Sequence, residues 1–201
     1  MKITEIYEKY KIPPNLQLHQ LRVAGVASII CNNFDSQLNK NSVIIACLLH
    51  DMGNILKFNF DIFDDDFYAP KGRAYWRNIK EEIRKKYGDD EHKASELIVK
   101  ELSVSKQVVS LVNNIGFEFS KKASESKDYL RKICSYSDMR VAPNNVVSLS
   151  GRLSDLNARY NNKDNSHFTS DYFGKYEPYW YGLEKQIFEH CKIKPGRGRR
   201  N

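Results

Sequence analysis

The residues best suited to chemistry in this chain stand at the end of an apolar run. In VIIACLLHDMGN, Val43 to Asn54, seven consecutive apolar residues are too few to cross a membrane and too evenly apolar for a surface helix. They read as a buried segment that delivers His50 and Asp51 together. A neutral imidazole and a carboxylate are both metal ligands, and Gly53 just beyond lets the backbone turn sharply away from them. A His-Asp pair also arises by chance, so its meaning depends on partners elsewhere in the chain.

Three residues of the same chemical kind point inward from other helices. Val23, Val26, Ala27 and Ile30 mark the stripe of a helix from Asn15, its N-cap, to about Cys31, and four residues back from Val23 stands His19. Read alone, a histidine in such a place is more often a hydrogen-bonded core residue than a ligand. Arg22, one turn on, shares its face. Leu130, Ile133, Cys134, Ser137 and Val141 mark another stripe, on a helix from about Lys127 to Ala142 ended by Pro143, and Asp138 lies on it. A buried carboxylate must be paired, hydrogen-bonded or bound to a cation, so a salt bridge to an arginine such as Arg22 and a metal ion are its alternatives. His92 falls with Ser95, Val99 and Leu102 on the inner face of a helix capped by Asp89 or Asp90.

The rest of the chain supplies a helical frame for these residues. Ile3, Ile6 and Tyr10 give a short amphipathic helix stopped by Pro13 and Pro14. Trp76, Ile79, Ile83 and Tyr87 form one stripe, with Arg73, Arg77, Lys80 and Arg84 on faces diluted by Glu81 and Glu82. Ser103 caps a helix with Val104, Val108, Leu111, Val112 and Ile115 inside. Two more helices follow, one on Leu149, Leu153, Leu156 and Tyr160, the other on Tyr176, Trp180, Leu183 and Ile187. Between the His-Asp pair and Arg73 runs a long loop, suited to a lid, with a solvated acidic turn at Asp64, Asp65 and Asp66. His167, in a second aromatic loop, has no companion pattern.

Composition sets the outer limits. At 201 residues and 41% hydrophobic, the chain can bury one sizeable core, and the absence of Asn-Gly or Asp-Gly hairpin turns favours an all-α bundle. Cys31, Cys47, Cys134 and Cys191 are too scattered for a zinc-thiolate site and read as reduced thiols in a soluble, cytoplasmic protein with no membrane segment. Of 32 basic residues, five fall in the acid-free ending KIKPGRGRRN, so most of the positive excess is a tail. Residues 1–191 read as one domain and residues 192–201 as a disordered basic tail, with nucleic-acid contact as its functional alternative.

His19, His50, Asp51 and Asp138, in that order, resemble the pattern of the HD-domain superfamily of metal-dependent phosphohydrolases. LQLHQLRVAGVA, ACLLHDMGN, YGDDEHKASELIVKEL and YSDMRVAP each resemble a family segment, so the likeness covers residues 15–143. It implies an HD-type helical bundle in which His19, His50, Asp51 and Asp138 hold one divalent transition metal, Mn, Fe, Co, Ni or Zn. Two departures stand out. Asn54 occupies the place of a lysine common in the family, which is either missing here or replaced by Lys57, and Asn113 and Asn114 stand where binuclear members carry a second histidine after the one resembling His92.

The implied reaction is hydrolysis of a phosphate ester, of a nucleotide or a related small molecule, by a metal-activated water. Asp51 would orient that water, and Arg22, Lys57, His92 and Arg140 would contact the substrate. Phe58, Phe60, Phe63, Phe67, Tyr68 and Tyr75 are candidates to stack a base. The alternative is a regulatory module in which the same metal site binds a nucleotide without turnover.

Overall fold

His50 and Asp51 stand where one helix ends against two others, and the fold is built around that junction. The computed structural model describes residues 1–61, 70–160 and 170–196. Among them are ten α-helices and no β-strand: α1 Ile3–Lys9, α2 Pro14–Asn32, α3 Lys40–Leu49, α4 Arg73–Tyr87, α5 Glu91–Glu101, α6 Lys106–Val112, α7 Ser120–Glu125, α8 Tyr129–Asp138, α9 Leu149–Tyr160 and α10 Ser170–Phe188. The all-α expectation holds. α2, α3 and α8 pack on one another, α6 covers α3, and α10 lies against α7, α8 and α9.

The expected stripes form the core. Val23 and Ala27 of α2, Val43, Ala46 and Cys47 of α3 and Ile133 and Cys134 of α8 are fully buried, as are Trp180, Leu183 and Ile187 of α10. Tyr7, whose burial the spacing of Ile3 and Ile6 does not reveal, donates its hydroxyl to the Leu48 carbonyl at 2.7 Å. That carbonyl belongs to the last turn of α3, where no helical N–H is left to meet it. α1 thereby anchors the end of the helix that carries the site.

Helix starts differ from the sequence reading in three places. α2 begins at Pro14, with Pro13 rather than Asn15 as its cap. A proline in the first turn forfeits no helical hydrogen bond and arrives with a helical φ. α6 is capped by Ser105, whose Oγ accepts from the Val108 N–H at 3.3 Å, while Ser103 turns the chain at a φ of 53°. α8 starts after Asp128, which accepts from the Leu130 N–H at 2.9 Å, and ends at Asp138, well before Pro143.

Gly53 also works differently from the expectation. Its φ of −95° is open to any residue. A Cβ there would stand 2.6 Å from the Glu91 carbonyl oxygen, 2.7 Å from Ala94 Cβ and 2.8 Å from the Ser95 nitrogen. Glycine is required for close approach to α5, not for a sharp turn.

The segment after Gly53 is partly regular, with a 3-10 turn at Asn54–Lys57 packed on α4 and α5. Phe60 is buried and belongs to the core, which removes it from the base-stacking candidates. Phe63, Phe67, Tyr68 and the Asp64 to Asp66 run, and with them most of the lid reading, lie outside the described residues, as does His167. At the other end, the first half of the basic tail is fixed. The Lys192 N–H donates to the Asn33 carbonyl at 2.8 Å, and the Gly196 carbonyl accepts from Arg140 at 2.8 Å. Arg197, Arg199 and Arg200 lie outside the described residues. No helix in the described residues is long and apolar enough to cross a membrane.

Candidate metal centre

Four ligand-type side chains converge from α2, the end of α3 and the end of α8. His19 Nε2 lies 3.0 Å from Asp138 Oδ1 and 3.5 Å from Asp51 Oδ2. His50 Nε2 lies 3.4 Å from the same Asp138 oxygen and 3.6 Å from the same Asp51 oxygen. The ligand atoms of His19, His50 and Asp51 all fall within 4.8 Å of one another. Asp138 therefore meets two imidazoles, not an arginine, and Arg22 instead donates to the Pro143 carbonyl at 3.0 Å.

The donor set fits a cation. His50 Nδ1 donates to the Cys47 carbonyl at 2.9 Å, which leaves Nε2 as the nitrogen facing the cluster. That Nε2 is buried and meets hydrogen-bond geometry with neither carboxylate. A carbonyl that fixes one ring nitrogen and so orients the other is the usual support of a ligating histidine. Burial works against the His50 imidazolium, yet Asp51 and Asp138 outweigh it and push its pKa up to about 10. Burial likewise works against the Asp138 carboxylate, yet the hydrogen bond from His19 and the close approach of both imidazoles hold it well below the usual range. Two carboxylates thus draw positive charge onto His50, and a divalent cation answers the same need.

Three supporting residues escaped the sequence reading of the site. Asn54 donates its side-chain amide to Asp51 Oδ2 at 2.9 Å. Gln20, fully buried beside His19, accepts from the Asp51 N–H at 3.4 Å. Ser95 Oγ accepts from the Gly53 N–H at 2.8 Å, tying the turn to α5. A glutamine on the buried stripe of α2, four residues after Leu16 and three before Val23, was the available signal for Gln20.

The expected substrate contacts separate into two groups. Lys57 Nζ lies 2.5 Å from Glu91 Oε1, and His92 Nε2 lies 3.5 Å from the same oxygen and 3.6 Å from Glu118 Oε1. His92 is 41% exposed on its side chain, so it stands at a rim rather than pointing into the core. Asn114 turns its amide back to the Ser110 carbonyl of its own helix. Arg140 is held differently. Its guanidinium is buried and donates to the Val147 carbonyl, the Tyr136 hydroxyl and the Gly196 carbonyl at 2.5, 2.7 and 2.8 Å, so it braces the fold and presents no open face to a phosphate.

An all-α bundle with a histidine and carboxylate cluster at its centre defines a class, and comparison with known families gives the same one. The chain belongs to the HD domain family, which matches residues 17–134, more than half of its length. Asp138 lies just beyond that match and joins the cluster through the geometry above. HD domains bind divalent metal, and the His19, His50 and Asp51 group is compatible with that. No curated protein and no solved structure matches the chain.

Proposed function

We propose that the chain is a metal-dependent phosphohydrolase acting on a nucleotide or a related phosphate ester. The observation that supports this most is the buried, unpaired Nε2 of His50, oriented by Cys47 and facing His19, Asp51 and Asp138. A divalent transition metal held by those four residues would acidify a water and neutralise charge on a phosphate oxygen. The chain's own groups supply the rest. Asp51, its Oδ2 held by Asn54 and its side chain 24% exposed, orients the attacking water as well as ligating. Arg22, half-buried on the His19 helix, offers the guanidinium N–H groups beyond the one bound to Pro143 to the anionic oxygens. Lys57, paired with Glu91 beside His92, gives a second edge at which a phosphate can compete with Glu91 for the lysine.

The test couples metal analysis of the purified protein to a phosphate-release and phosphodiester-cleavage screen over nucleotides. Metal-dependent turnover that Asp51→Ala abolishes is the expected result. Nucleotide binding by the metal-loaded parent without turnover would instead make the chain a regulatory module.

A further inference from the structure

α2 presents apolar side chains on two opposite sides. Leu16, Val23, Ala27 and Ile30 are buried in the core, yet Leu18, Leu21 and Ile29 are 46%, 47% and 57% exposed. Leu18, Leu21, Gly25 and Ile29 succeed one another at helical spacing and form one ridge on the outer face. Beside it runs a shallow groove lined by Ala24 and Ser28 of α2 and Lys40, Asn41, Ile44 and Ile45 of α3. Lys40 closes one end, its Nζ donating to Asn32 Oδ1 at 2.7 Å. Arg22 is the one Lys, Arg, Asp or Glu in α2, and Lys40 the one in α3. An apolar helix face is ordinarily covered, and the core accounts for only one of the two apolar sides of α2.

We propose that two copies of the chain meet through this face, as a two-fold dimer in which the ridge of each lies in the groove of the other. Ridge and groove run side by side, so a single two-fold axis satisfies both contacts at once, which a foreign partner would need a separately matched surface to do. Charge does little to oppose this occupant. Arg22 and Lys40 are the only Lys, Arg, Asp or Glu residues that α2 and α3 can bring to this face, so two copies meet through it with little like-charge repulsion. Size is adequate as well. α2 is about 28 Å long at the helical rise, and with α3 beside it the face offers roughly 500 Å² per copy, about 1,000 Å² in all, where specific interfaces begin.

The test is sedimentation equilibrium of the full, metal-loaded chain from about 1 to 100 μM. Gly25→Arg and Ile29→Lys are the variants. Nothing lies within 4 Å of where a Cβ on Gly25 would stand, so the helix accepts arginine and the monomer folds at least as well, checked by its melting curve. The parent should run at twice 23.4 kDa. Each variant should weaken association about 100-fold or more, because a charge is then held against apolar surface. A parent at the mass of one chain throughout overturns the proposal. A dimer that both variants leave within about threefold of the parent overturns it too.

Discussion

The Nδ1 of His50 donates to the carbonyl of Cys47, three residues back at the end of the same helix, at 2.9 Å. The bond leaves the other ring nitrogen as the only one available to a ligand, and it depends on the backbone of Cys47 and not on its thiol. His50→Ala should therefore reduce bound metal from about one equivalent per chain to near zero, and Asp138→Ala should do the same. Cys47→Ala should keep the metal while losing stability by roughly 1 kcal/mol as a small buried side chain shrinks. Elemental analysis reads all three variants. Unchanged metal in Asp138→Ala would remove that residue from the site.

Removing the metal should also lower stability, because two carboxylates and two imidazoles are gathered between helices that the ion would tie together. Metal at about 100 times its dissociation constant adds roughly 2.7 kcal/mol, which for a chain of this size corresponds to about 5–10 °C in melting temperature. Scanning calorimetry before and after chelation measures the difference. Equal melting temperatures would mean that no ion binds the folded chain tightly.

Gly53 gives a test of the frame rather than of the ligands. The three atoms that a Cβ would meet within 2.8 Å include backbone of α5, which cannot swing aside as a side-chain tip can. Gly53→Ala should cost about 1–3 kcal/mol and weaken metal retention, since the turn that carries Asp51 would have to move away from Ser95. Gly174→Ala, in open space on α10, should instead be neutral or stabilising by up to about 1 kcal/mol. Thermal denaturation of the two variants separates these outcomes.

Much of this arrangement was legible because helical periodicity reports which side of a helix is buried, and the candidate ligands announce themselves by breaking that rule. Asp138 among Cys134, Ser137 and Val141 demanded a partner, and it has two in His19 and His50. What periodicity does not report is the identity of neighbours across the chain. The reason for Gly53 lies in α5, some forty residues on, and the support of Asp51 by Gln20 is a contact between helices. His92 shared a stripe with Ser95 and Val99, but at the first turn of α5 the stripe runs out to the surface, so the side chain emerges at the rim. Arg140 illustrates a related point. Its nearness to Asp138 in the chain says nothing of direction, and the carbonyls of Val147 and Gly196 draw its guanidinium the other way.

The contrast between the two arginines is therefore the sharpest test of the proposed chemistry. Arg22 follows His19 by one helical turn and commits one NH1 bond to Pro143, with a half-buried guanidinium. Arg140 commits all three of its nitrogens to the protein. Arg22→Ala should leave metal content and melting temperature close to the parent and raise KM for a phosphorylated substrate about 10-fold or more, the mark of a lost substrate contact. Arg140→Ala leaves two carbonyls and a tyrosine hydroxyl without their donor and should cost about 1–3 kcal/mol of stability, with KM nearly unchanged in the fraction that remains folded. Steady-state kinetics and calorimetry on both variants decide the matter. A large KM change in Arg140→Ala without loss of stability would return that residue to the substrate site, and an unchanged KM in Arg22→Ala would take the phosphate contact away from α2.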